Sequence, residues 1–209
     1  MFIRTLAAAF ALVLTGTVAQ AQEAAAPAPG PADATTIPDM RMGNPEARVQ
    51  ITEYSSFTCP HCARFHAESM PRLKAEYIDT GKVGLTYREV YFDRYGLWAA
   101  MLARCGGESR YFGISEILFS TQTEWAGSND PAVVTGNLKR IGRSVGMADA
   151  ELDACFENRA MAEAMVAKFQ ADSTADGVEG TPTFIINGTK YPNMTFEDMK
   201  AIIDPLLAE

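Results

Sequence analysis

The stretch Ser56-Phe57-Thr58-Cys59-Pro60-His61-Cys62-Ala63-Arg64-Phe65 holds two cysteines separated by two residues. Ahead of it, Val49 to Tyr54 alternates as a strand, with Val49, Ile51 and Glu53 on one face and Gln50, Thr52 and Tyr54 on the other. Behind it, Cys62, Phe65, His66, Ser69, Met70, Leu73 and Tyr77 recur at three- and four-residue spacing, a helical stripe ending near Gly81. Pro71 within that stripe predicts a kink. Val83 to Val90 reads as the next strand. Strand, helix and strand make a βαβ unit with the cysteine pair at its first strand–helix junction.

At such a junction Cys59 stands at the helix N-terminus and Cys62 one turn inside. The free amides and the helix dipole favour negative charge there, so a Cys59 thiolate is stabilised, and a protonated His61 adds positive charge beside it. Cys59 is therefore expected to be the nucleophile and leaving group, and Cys62 the buried resolving thiol. A structural disulfide or half of a zinc site are the alternatives. Zinc needs a second close ligand pair, whereas Cys105 and Cys155 stand 50 residues apart; no metal site is expected.

The N-terminus reads as an export signal. Arg4 supplies a positive region, Leu6 to Leu14 an uncharged apolar run, and Ala19-Gln20-Ala21 a small-x-small cleavage pattern, so residues 1–21 are expected to be removed after Ala21. The run is shorter than the roughly 20 residues that span a bilayer. Export implies a compartment where disulfides persist, here expected to be the periplasm. The four cysteines allow three pairings, of which one keeps the close pair together: Cys59–Cys62 and Cys105–Cys155. Cys105 and Cys155 are expected to form a structural bridge, worth about 4 kcal/mol in the chain-entropy model, with a second redox pair or two free thiols as the alternatives.

A chain of 209 residues with 47% apolar and 21% charged residues suits one domain with an insertion. The net charge of −8 without a basic patch argues against nucleic acid as a partner. Residues 22–44 are rich in Ala and Pro at their start and read as a flexible tether. Residues 45–92 carry the βαβ unit, 93–177 read as helical throughout, and 178–209 return to β. In that last part Thr183 to Ile186 and Thr189 to Tyr191 flank Asn187-Gly188, a hairpin signal. Thr195-Phe196-Glu197-Asp198 resembles a capping box opening a last helix through about Leu207, which Pro205 is expected to end or bend early.

Cys59-Pro60-His61-Cys62, Gly180-Thr181-Pro182-Thr183-Phe184 downstream and the helical stretch between them resemble the DsbA family of exported thiol oxidoreductases, from about Val49 to the C-terminus. The resemblance implies an α/β thioredoxin fold, a central mixed sheet flanked by helices, with an inserted all-helical subdomain. It also implies oxidation of dithiols in newly exported proteins and reoxidation by a membrane thiol oxidase, in a monomer. No cofactor is then needed, because the cysteines carry the electrons. Pro182 is implied to be cis and to face the cysteine pair, leaving the Thr181 backbone open to pair with an extended substrate. Thr181 stands where the best-known oxidants carry Val and where isomerases also carry Thr. Glu53 falls on the apolar face, where its carboxyl could exchange a proton with Cys62; a carboxylate at the rim in water is the alternative. His66 reads as a packed or partly exposed histidine. An isomerase or reductase of the same fold, or a redox-silent chaperone or metal-binding module, are the rival functions.

Overall fold

The computed structural model describes residues 37–208; the expected signal segment and most of the expected tether lie outside them. Five strands form one mixed sheet in the order β1-β3-β2-β4-β5: β1 Met40–Gly43, β2 Val49–Ser55, β3 Val83–Glu89, β4 Thr183–Ile186 and β5 Thr189–Tyr191. β2 and β3 are parallel, as a crossover connection requires, and the other pairings are antiparallel. The crossover comprises α1 Pro60–Glu68, α2 Met70–Leu73 and a π-helical stretch Lys74–Ile78. Between β3 and β4 run α3 Arg94–Cys105, α4 Glu108–Ser120, α5 Gln122–Trp125, α6 Pro131–Ser144, α7 Asp149–Glu157 and α8 Arg159–Ala175; α9 Phe196–Ala208 follows β5. This is the thioredoxin arrangement with a helical insertion.

Two buried clusters make up the core. Val49 and Ile51 pack with Leu85, Phe65, Leu73, Phe184 and Ile203 between the sheet and the crossover and last helices. Further along the chain, Phe57, Tyr87 and Cys62 join Met101, Leu102, Tyr111, Leu118 and Trp125 of the insertion in a second core. The cysteine segment thus lies against the insertion as well as the sheet.

Three expectations need correction. The tether does not extend to residue 44, because Met40–Gly43 pairs antiparallel with β3. Four residues are too few to show a period, and β1 depends on this non-local pairing, on burial of Met40 and on ion pairs of Asp39 with Arg88 and Lys168. The crossover helix is not one kinked rod: it breaks at Ser69 and changes pitch at Lys74, where the Asp79 amide bonds back to the Lys74 carbonyl at 2.8 Å. Pro71 cannot donate to the Ala67 carbonyl, which loosens the turn before it. Pro205 does not end α9, which runs on to Ala208; the carbonyl it deprives is that of the exposed Ala201.

Local signals elsewhere act as read. Asn187 and Gly188 have φ of 46° and 85°, the left-handed pair a two-residue hairpin needs. The Asn187 amide also ties the turn to β2, accepting from Gln50 N at 2.8 Å and donating to Arg48 O at 3.1 Å. The Asp198 amide donates to Thr195 Oγ1, and the Thr195 amide to Asp198 Oδ2, closing the capping box.

The insertion is fastened to the sheet by a buried ion pair. Arg104 of α3 donates to Glu89 Oε2 at 2.6 Å and to the Pro38 carbonyl at 2.9 Å, while the Tyr111 hydroxyl donates to Glu89 Oε1 at 2.7 Å. Removing one partner of a buried pair leaves a desolvated charge behind. Glu89→Ala is therefore expected to destabilise the protein by about 3 kcal/mol or more, read as a lower urea midpoint with an unchanged denaturant slope.

Candidate active site

Cys59 is the N-cap of α1, with extended backbone (φ −84°, ψ 119°), and Pro60 is the first helical residue, where its missing N–H costs nothing. No acidic side chain occupies the first turn, so nothing offsets the positive end of the helix. Cys59 retains 9% exposure and Cys62 none. Both sulfurs are free thiols. The Cys62 thiol donating to Cys59 is the largest influence holding Cys59 low, at about 5; burial opposes it, and Thr181 and the backbone amides of Cys62 and His61 add to the lowering. Cys62 is displaced the other way: burial, then the hydrogen bond to Cys59, push it far up. One helical turn thus separates a thiol that ionises readily from one that hardly ionises at all.

The loop after α8 closes the site. The Thr181–Pro182 bond is cis, and the Cys59 sulfur donates to the Thr181 carbonyl at 3.4 Å. Thr183 braces the turn by donating to the Gly180 carbonyl at 2.7 Å. His61 is exposed beside Cys59, and Pro60 is exposed too. Cys59, Pro60, His61, Cys62, Thr181 and Pro182 are thereby gathered in one place. Glu53 is fully buried on the sheet face beneath α1, not at a rim in water. Cys105 and Cys155 lie apart from this place, bridged to each other across α3 and α7 with a Cα separation of 6.0 Å. Among the described residues no three His, Cys, Asp or Glu side chains gather as metal ligands.

Residues that sequence reading missed hold the site in position. The Gln122 amide of α5 donates to the carbonyls of both Phe57 and Cys59, at 2.8 and 3.0 Å. Thr58 donates to Asp93 at 2.8 Å, and Asp93 in turn caps α3 through the amides of Tyr95 and Gly96. Gln122 carries no local signal, since it lies on a four-residue helix far along the chain. His66 did carry one: it sits on the buried stripe of α1, and Glu53 points to the sheet face that α1 covers. The two meet at 2.8 Å, with the His66 ring stacked on Phe119 at 4.0 Å.

Comparison with known proteins agrees with this geometry. Residues 35–205 match the family model described as thioredoxin. A Rickettsia bellii protein named as a candidate protein-disulfide oxidoreductase is 32% identical over 172 residues, covering 82% of this chain; the chain spans 65% of that relative's length, less than two thirds. Among solved structures, Wolbachia pipientis alpha-DsbA1 superposes with a TM-score of 0.76 at 26% identity, covering 87% of this chain and 93% of the other. A protein-disulfide isomerase from Novosphingobium aromaticivorans gives a TM-score of 0.71 at 26% identity, covering 83% and 100%. The chain belongs to the thioredoxin family and, within it, to the DsbA-like proteins.

Proposed function

We propose that the protein is a thiol–disulfide oxidoreductase that introduces disulfides into exported proteins through Cys59 and Cys62. The observation that carries the reading is the opposite displacement of the two thiols, Cys59 held at about 5 and Cys62 far up. A substrate thiolate attacks Cys59 of the oxidised pair. The Cys59–Cys62 bond breaks, its electron pair goes to Cys62, and Cys62 takes a proton. A second substrate thiolate then attacks the substrate sulfur of the mixed disulfide, and Cys59 leaves as a stabilised thiolate. The substrate has lost two electrons and the protein has gained them. Pro60 sets the first turn of α1, and His61 stabilises the Cys59 anion when protonated. The Thr181 carbonyl and cis-Pro182 offer the extended backbone against which a peptide aligns.

Glu53 exchanges a proton with Cys62, and the Cys105–Cys155 bridge braces the helical insertion. The partners are unfolded or newly exported proteins with free thiols and a membrane thiol oxidase that restores the disulfide; the setting is the periplasm and the working form a monomer without a cofactor. Two observations favour a second reading, an isomerase or reductase: Thr181 precedes the cis proline, and a 26% identical structural neighbour is named an isomerase. Equilibration with glutathione separates the two, since an oxidant is reduced far more readily.

Cys59→Ser is expected to abolish oxidative refolding of a reduced protein substrate; retained activity in that variant contradicts the reading. His61→Ala is expected to lower the reduction potential of the pair, a tenfold weaker oxidant corresponding to about 30 mV. The thiolate also sets a pH dependence. With Cys59 at about 5 in the folded dithiol and 9.0 as its ordinary value, the unfolded chain binds one more proton between those limits. Stability of the reduced form relative to the oxidised form therefore rises with pH across that window and is lost as pH falls through about 5. Urea melts of both redox forms, with ultraviolet thiolate absorbance alongside, check the sign.

A further inference from the structure

Thr181 is carried by a loop whose two ends meet one residue. α8 ends at Ala175, and the chain runs from Asp176 to Pro182 before β4 opens at Thr183. In the antiparallel register Tyr54 of β2 pairs with Thr183, so its backbone fixes the far end of the loop. Its hydroxyl donates to Asp176 Oδ2, so its side chain fixes the near end. Tyr54 is fully buried, and a buried tyrosine hydroxyl usually finds a partner of this kind. A rigid ring thus spans from the strand to the end of α8, with the Thr181–Pro182 step between the two points that it holds.

Arg88 completes the anchor. It is the neighbour of Tyr54 in the parallel register with β3. Its Nη1 donates to the Tyr54 hydroxyl at 2.7 Å and to Asp176 Oδ2 at 2.9 Å. Both contacts to the Asp176 carboxylate are charge-assisted, the stronger kind of hydrogen bond. Arg88 is itself held by Asp39 at 3.2 Å, from ahead of β1, and by Asp172 at 3.6 Å, one turn before Asp176 on α8. From the hairpin side, the exposed Lys190 of β5 donates to the Gly177 carbonyl at 2.6 Å. The chief influences on the two thiols are one another, burial, Ser55, Thr181 and nearby backbone amides; Tyr54, Arg88 and Asp176 are not among them. The anchor therefore acts on the loop and not on the sulfurs.

We propose that Tyr54 and Asp176 are positioning residues for polypeptide substrates: they hold the Thr181 backbone at a fixed place beside Cys59 and so set the affinity for an extended chain, without taking part in the exchange. The proposal rests on the reading of Cys59 and Cys62 as an exchanging pair and of the Thr181 backbone as the edge with which a peptide pairs. The Thr181 carbonyl stands 3.4 Å from the Cys59 sulfur, so a chain aligned on that backbone brings its own thiol to the sulfur. Hydrogen bonds weaken steeply when misaligned. A loop released at its α8 end leaves the sulfurs as they were but presents its backbone in many orientations, and ordering it then opposes binding. A small thiol with no backbone to align needs only the sulfur. The anchor thus divides substrates by class: extended polypeptides with thiols depend on it, and small thiols do not.

Two dithiols of different size test this division. The oxidised protein is mixed with an unstructured peptide carrying two cysteines, or with dithiothreitol, which has no backbone. Samples are quenched with acid, and reduced protein is counted by mass spectrometry. The concentration dependence with the peptide separates half-saturation from the limiting rate; where the rate stays linear, the ratio of the peptide and dithiothreitol rate constants takes its place. Tyr54→Phe keeps the ring and removes the hydroxyl. It is expected to raise the half-saturating peptide concentration, or lower that ratio, by about fivefold, with the limiting rate and the dithiothreitol rate within about twofold of the parent. Asp176→Ala is expected to do the same. Asp176 is partly exposed, so this variant decides if Tyr54→Phe fails to fold. Unchanged handling of the peptide in the variant that folds overturns the proposal. A dithiothreitol rate that falls as far as the peptide rate also overturns it, because it marks general damage to the site. A Cys59→Ser variant that still oxidises the peptide overturns the exchange reading itself, and that control tells the two failures apart.

Discussion

The structure depends on one constraint: two thiols three residues apart must experience opposite environments. A helix start is one of the few places where the backbone allows this, because its first amides are free and its next turn is already packed. β2 ends where α1 must begin, Cys59 takes the cap position, and Cys62 faces the second core. The rest of the fold serves that asymmetry. The sheet fixes the direction in which α1 leaves, the insertion covers Cys62 and removes it from water, and the cis-proline loop leaves Cys59 a narrow opening.

Burial of Cys62 also explains why so many polar groups are concentrated on one face of β2 and β3. Glu53, Ser55, Tyr87 and Glu89 would each be costly in an apolar core taken alone. They occur where three layers meet, with His66 supplied by α1 and Arg104 and Tyr111 by the insertion. A smaller core of purely apolar residues would pack there at less cost. The hydrogen bonds of Glu53 to His66 and of Glu89 to Arg104 and Tyr111 offset part of that cost.

Much of this was legible in the sequence, and the reasons differ residue by residue. The cysteine pair, the Asn187-Gly188 turn and the Thr195 capping box are local statements, made by residues within a few positions of each other. The period of β2 even gave the face of Glu53. What sequence reading missed was set by tertiary contact. β1 is four residues long and exists because β3 offers an edge. The break at Ser69 and the π-helical stretch come from Pro71 combined with packing of Tyr77 and Ile78. Gln122 reaches Cys59 from a place in the chain that no pattern connects to it. His66 lay between these cases: its stripe and the parity of Glu53 were both readable, but joining them required knowing that α1 covers that face.

The Gln122 amide has a consequence for how such proteins can be rebuilt. One side-chain nitrogen satisfies the carbonyls on either side of the reactive segment, and it is delivered by the insertion. The helical insertion is therefore not an interchangeable cap. A chimaera that grafts another helical module between β3 and β4 could keep the sheet, the cysteines and the cis proline and still leave two carbonyls beside Cys59 without a donor. Transplanting the insertion transfers part of the active-site scaffold with it, and a successful graft must supply an amide at that point.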